Sequence, residues 1–260
     1  MTLQRIHLPA LAAATLLICG AGPVRSEDSP SMKSTPIKQL QQRFTHREVT
    51  RHELHYLLAF PEGYEKSAKK RWPLMLFLHG AGERGTNLTK VAVHGPPKLI
   101  EQGTKLPFIV VSPQCPNGEI WDDATLLALL DKLIAKHRVD PKRVYLTGLS
   151  MGGYGTWSLA TKHPERFAAV APICGGGERI RLLLMSDSQR KALKTLGIWA
   201  FHGAKDSIVP LEESERMIKA VKAAGNSAAK LTIYPEANHD SWTQAYNDPA
   251  LFAWFLKYSR

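Results

Sequence analysis

Between a β-rich run at 143–147 and a helical pattern from 151 to about 162 stands Gly148-Leu149-Ser150-Met151-Gly152, extended by Gly153. No other stretch constrains the fold as strongly. A strand that turns straight into a helix forces the corner residue into a strained part of backbone space. Glycines are needed on either side because a Cβ there would collide with neighbouring backbone. Such a corner lifts the Ser150 hydroxyl above the edge of a sheet, at the positive end of a helix that favours developing negative charge. A glycine-rich helix start used only for close packing is the alternative, and it asks for no partners elsewhere. A nucleophile demands a base, an acid and oxyanion donors.

The rest of the chain alternates short β-rich runs with longer helical patterns, the order that a mostly parallel sheet covered by helices on both faces requires. Runs at 74–78 and 108–112 are almost continuously apolar, as in strands buried on both faces. Further strands are predicted at 143–147, 167–173, 197–202 and 230–234, with an opening hairpin at 45–50 and 53–60. Helical periodicity places Leu126, Leu127, Leu130 and Ile134 on one face of 124–136, and helices are also predicted at 151–162, 211–224 and 249–257. The expected architecture is α/β, with about eight strands. The one long gap between strands, 173–197, holds a single helix and its loops, so no large lid is expected. The site should lie open to bulky or polymeric substrates.

A chain of 260 residues with 44% hydrophobic content can bury one sizeable core, so a single catalytic domain at 44–260 is expected. Before it, Arg5 and His7 precede an apolar run at 8–18, then small residues and Pro23, which reads as a secretory signal peptide over 1–26. Cleavage before Glu27 fits Val24 and Ser26, with a cut after Ala21 or Gly22 as the alternative; Ile18 before Cys19 argues against lipid attachment. Residues 27–43 read as a mobile polar leader, and the chain as secreted or periplasmic. No stretch approaches the roughly 20 apolar residues of a membrane helix. The formal charge of +11 falls to +9 without Arg5 and Arg25, but the basic residues are scattered, and no nucleic-acid motif accompanies them. Cys115 and Cys174 are expected to end strands three positions apart, roughly 14 Å at ~4.8 Å per strand. A disulfide needs Cα atoms within about 7 Å, which predicts two free, largely buried thiols.

A serine hydroxyl needs a base to take its proton, and the base needs an acid to hold its tautomer. His239 follows the run 230–234 after Pro235-Glu236-Ala237-Asn238, on the same sheet edge as Ser150. Asp206 follows the run 197–202 in Gly203-Ala204-Lys205-Asp206, completing the order Ser, Asp, His. In Leu78-His79-Gly80-Ala81-Gly82 the glycines let backbone approach a substrate, which assigns the oxyanion to the N–H groups of Ala81 and Met151. His79 reads as structural, and His202 as packing beneath the acid loop. Trp121, Trp242 and Arg84 are substrate-binding candidates, with plain packing or loop bracing as the other reading; Tyr154 and Trp157 read as core. No metal site, cofactor motif or phosphate loop is found, so no cofactor or metal is expected.

The segments LHGAGERG, GLSMGGYGTW, FHGAKDSIVP and NHDSW resemble the dienelactone-hydrolase-like, phospholipase/carboxylesterase and prolyl-oligopeptidase-type α/β-hydrolases over roughly 44–260. Secreted members similar to this chain include carboxylesterases, feruloyl esterases and polyhydroxybutyrate depolymerase-like enzymes. The resemblance implies a serine hydrolase that cleaves carboxylic esters through Ser150, His239 and Asp206 and an acyl-enzyme, with a small-molecule or polymer-linked ester as partner. A small peptidase of prolyl-oligopeptidase type and a catalytically silent binding protein remain as alternatives, and the oligomeric state is left open. The chain lacks the propeller of true prolyl oligopeptidases, and it has serine where dienelactone hydrolase itself uses cysteine.

Overall fold

Apolar runs without polar interruption can be satisfied only between two layers of helix, and the computed structural model, which describes residues 53–260, places them there. Among the described residues seven strands form one sheet: β1 (Tyr56–Ala59), β2 (Trp72–Leu78), β3 (Ile109–Pro113), β4 (Val139–Leu149), β5 (Ala169–Ile173), β6 (Gly197–Gly203) and β7 (Lys230–Tyr234). Their order is β1-β3-β2-β4-β5-β6-β7. All neighbours run parallel except β1, which pairs antiparallel with β3.

Side chains on β2 alternate between two cores, as a period of two demands. Leu74, Leu76 and Leu78 meet α2 (Asp123–Lys136), α3 (Met151–Lys162) and α6 (Glu212–Ala223), through residues such as Leu126, Leu133, Trp157 and Met217. Met75 and Phe77 join Tyr145 against α1 (Gly95–Glu101), α7 (Trp242–Asn247) and α8 (Pro249–Phe255), through residues such as Leu99, Tyr246, Leu251 and Phe255. Local chemistry starts these helices where they start. The Asp122 carboxylate accepts the Thr125 N–H at 2.7 Å, and Asp248 accepts that of Ala250 at 2.9 Å ahead of Pro249.

Of the about eight strands expected, seven lie among the described residues. Only 56–59 of the predicted arm 53–60 is extended, and it pairs with the sheet edge; the other arm, 45–50, lies outside the described residues, as do the stretches 1–26 and 27–43 read as signal peptide and leader. Between β5 and β6 the chain fits two short helices instead of one, α4 (Arg179–Leu183) and α5 (Asp187–Thr195), the second started by reciprocal bonds between Ser186 and Gln189. No large lid stands over the sheet among the described residues.

At the β4–α3 corner, a Cβ on Gly152 would lie 2.0 Å from the Leu78 carbonyl oxygen, and one on Gly148 would lie 2.4 Å from that of Gly152. Both neighbours are backbone and cannot swing aside. Gly152→Ala should therefore cost about 3 kcal/mol or more, the upper end of overpacking effects. Gly82→Ala, whose Cβ would meet nothing within 4 Å, serves as the control. Denaturant midpoints measure both, and equal midpoints would refute the backbone contact as the reason for Gly152.

Candidate active site

Ser150 sits at φ 52° and ψ −116°, a conformation that side chains rarely adopt and that costs about 1–3 kcal/mol. The cost is tolerated because the corner is held from both sides. The Ser150 N–H donates to Ile173 O at 3.0 Å, and its carbonyl accepts from Tyr154 N–H at 3.0 Å. Its hydroxyl Oγ lies 2.9 Å from His239 Nε2.

His239 reaches that hydroxyl from the loop after β7, which lies directly on the end of β6. A Cβ on Gly203 would stand 2.2 Å from Asn238 O, so only glycine lets the two loops meet. Nδ1 of the imidazole lies 2.8 Å from Asp206 Oδ2. The other oxygen, Oδ1, accepts the N–H groups of Ile208 and Val209 at 2.9 Å each. Burial pushes the Asp206 carboxyl up, but the hydrogen bonds from His239, Val209 and Ile208 outweigh it and hold the group below the usual carboxylate range. His202 lies beneath, as expected, with Nε2 donating to Val209 O at 2.8 Å and 3.3 Å from Asp206 Oδ2.

The loop after β2 is pinned by three side chains. His79 is fully buried, its Nε2 accepts the Cys115 N–H at 3.0 Å, and its Nδ1 therefore carries the proton given to Gly80 O at 2.6 Å. Burial pushes this imidazole below its ordinary value, which suits a neutral ring in that role. Fixing Gly80 O fixes the planar peptide whose opposite side carries the Ala81 N–H. Glu83 accepts the Gly80 N–H at 2.9 Å. Arg84 donates from Nε to Ala81 O at 2.9 Å and from its guanidinium to Glu119 O at 3.1 Å, so it braces this loop. Glu83 was missed in the sequence; its signal is the three-residue spacing from Gly80 that lets a carboxylate reach back to a turn's own amide. Met151 opens α3, where N–H groups have no acceptor within the helix.

One expectation is overturned here. A serine esterase mechanism through a self-contained Ser-His-Asp triad leaves Cys174 out of the site, yet ligand-type atoms of Cys174, Asp206 and His239 all lie within 4.8 Å of one another. The acid–base pair is thus shared by a thiol, and the centre is a cysteine-containing cluster. Cys174 follows β5 at φ 40°, its N–H bonded to Phe201 O at 2.9 Å and its Sγ 3.3 Å from the Ser150 N–H. Strand order alone brings it there, because β5 lies between β4, which delivers Ser150, and β6, which delivers Asp206. Burial pushes the thiol up to about 12, so it rests as the neutral SH. Cys115 is the second free, buried thiol, and no disulfide joins the two. As a metal site the cluster is already spoken for, since both imidazole nitrogens and both Asp206 oxygens have partners in hydrogen-bond or ion-pair contact.

A cleft of about 840 Å³ opens beside Ser150 and Met151, between the start of α2, α3 and the Gly176-Gly177 loop. Trp121 lines it while donating from Nε1 to His79 O at 3.1 Å. Trp242 stands elsewhere, edge-on to His239 with ring centroids 5.2 Å apart and its Nε1 on His94 Nδ1 at 3.3 Å. Tyr154, read as core, is instead 40% exposed and lines the cleft, whereas Trp157 is fully buried as expected.

Among the described residues, a seven-stranded, mostly parallel sheet with a glycine-flanked serine corner after a central strand and a His-Asp pair delivered by later strands defines an α/β-hydrolase. Residues 105–250 match the dienelactone hydrolase family, and the chain belongs to it. Feruloyl esterase C of Emericella nidulans is 28% identical over 218 residues, 79% of this chain and 72% of that protein. A bifunctional acetylxylan esterase/xylanase of Neocallimastix patriciarum is 29% identical over 154 residues, which are 56% of this chain but only 21% of that much longer protein. Among solved structures, a thermostable esterase superposes with a TM-score of 0.67 at 30% identity, covering 81% of this chain and 60% of its own.

Proposed function

We propose that the chain hydrolyses carboxylic esters at a centre formed by Ser150, Cys174, Asp206 and His239. The observation that carries this reading is the His239 ring, held at one nitrogen by Asp206 and at the other 2.9 Å from the Ser150 hydroxyl. Asp206 fixes the imidazole with its proton on Nδ1, which leaves Nε2 free to accept the nucleophile's proton. Attack on the carbonyl builds negative charge that the Ala81 and Met151 N–H groups receive, and His239 returns the proton to the leaving oxygen. Water, deprotonated by the same imidazole, then releases the acid. The feruloyl and acetylxylan esterases among the relatives support esters of plant-polymer type, and a site with no large lid among the described residues suits them. Among the described residues no helix is long and apolar enough to cross a membrane.

Labelling with a fluorophosphonate, followed by peptide mapping, locates the nucleophile while an ester panel reads turnover. An adduct on the peptide bearing Ser150 or on that bearing Cys174 supports the proposal and says which of the two carries the acyl group. Absence of any adduct, together with no turnover of any ester, would sink the proposal.

A further inference from the structure

We infer that the cleft beside Ser150 receives the acyl half of the ester, and that this half is bulky, apolar next to the carbonyl and hydroxyl-bearing at its far end. The inference rests on the ester-hydrolase reading and deepens it. Four groups surround the carbon under attack: the nucleophile, the oxyanion, the leaving oxygen and the acyl chain. The leaving oxygen must reach His239 Nε2 to be protonated, so the alcohol occupies the imidazole side. The acyl chain takes the remaining direction. Ser150 and Met151 line the cleft, but His239 and Asp206 do not, so the cleft extends on the acyl side.

Its lining sets the acyl chemistry. The start of α3 lines it with Met151, Tyr154 and Gly155, and Trp121 stands against Gly155. A Cβ at Gly155 would lie 3.1 Å from Trp121, so the missing side chain keeps this wall thin. Ser158 and Lys162, later on α3, line it with Asp123 bonded to both, and Glu178 and Arg181 come from the start of α4. Their charges are already matched: Lys162 pairs with Asp123 at 2.7 Å, and Arg181 with Glu178 at 2.9 Å. With Asp122 also in the lining, this polar part offers hydrogen bonds to hydroxyls and no net attraction for a carboxylate. An acetyl group would fill only a small part of 840 Å³. Each further methylene buried there can raise kcat/KM up to about fourfold.

The test holds the alcohol constant as p-nitrophenol and varies the acyl group: acetyl, octanoyl, 4-hydroxycinnamoyl and a hydroxybutanoate trimer. A second series holds acetyl constant and varies the alcohol. The bulky acyl esters should exceed acetyl in kcat/KM on the order of 10–100-fold, with the two hydroxyl-bearing arms separating an aryl from a polyester source. Ala124→Trp, which places a large ring in the cleft from an exposed position, should reduce the ratio of bulky-acyl to acetyl turnover at least about tenfold. Equal kcat/KM across the acyl series, or a ratio unmoved by Ala124→Trp, overturns the inference while ester hydrolysis stands. A chain that turns over no ester in either series overturns the function itself.

Discussion

Ser150→Ala should lower kcat/KM for an activated ester by on the order of 10⁴-fold or more, because it takes away the hydroxyl that stands 2.9 Å from His239 Nε2 and leaves the oxyanion donors and binding. Cys174→Ala should cost no more than about tenfold. Only one group can occupy His239 Nε2 at a time, and the Ser150 hydroxyl is there at 2.9 Å. The thiol touches the Ser150 backbone N–H instead, and its burial pushes it up to about 12, far from the thiolate that sulfur chemistry uses. The paired variants, checked for native circular dichroism and assayed on the same ester, decide the matter. If Cys174→Ala falls as far as Ser150→Ala, the thiol is the acyl carrier.

The second large effect belongs to the acid. Asp206→Asn should lower kcat by about 10³–10⁴-fold with little change in KM, by way of the imidazole tautomer. Two backbone N–H groups at 2.9 Å claim one side of the residue 206 carboxylate, so an amide must turn its oxygen toward them. Its NH₂ then faces His239 Nδ1, which becomes an acceptor, and the ring proton moves to Nε2. That nitrogen can no longer take a proton from the nucleophile. A stability signature follows from the same contacts. The folded-state pKa of Asp206 lies below its unfolded value, so its stabilisation is fully present above about pH 4 and fades as pH falls through the depressed value. The gap in melting temperature between wild type and Asp206→Asn should therefore shrink between pH 6 and about pH 3. A gap constant over that window contradicts the assignment of the hydrogen bonds.

Much of this was legible because burial leaves a strong trace. β2 and β3 are nearly continuous in apolar residues, α2 and α6 carry one apolar face each, and β7 and α3 lie where the residue pattern places them. The helices that escaped notice lack such traces. α1 begins Gly95-Pro96-Pro97, with Gly95 at φ 65° against the Phe77 ring, so its residues look like loop. α7 has six residues, too few to show a period. The edge pairing of β1 depended on β3, some 50 residues away, and no local signal could announce it.

By itself the amino-acid order determined the corner at Ser150, the succession Ser, Asp, His and the glycines that backbone contact requires, since these depend on near neighbours and on strand ends. Tertiary structure alone decided that Cys174 would join the acid and base, that Cys115 would hold the His79 ring that locks the Ala81 amide, and that the large cleft would avoid His239. Each of those is a meeting of side chains from different strands or loops. Strand order and register govern such meetings, and the whole sheet must assemble before they exist.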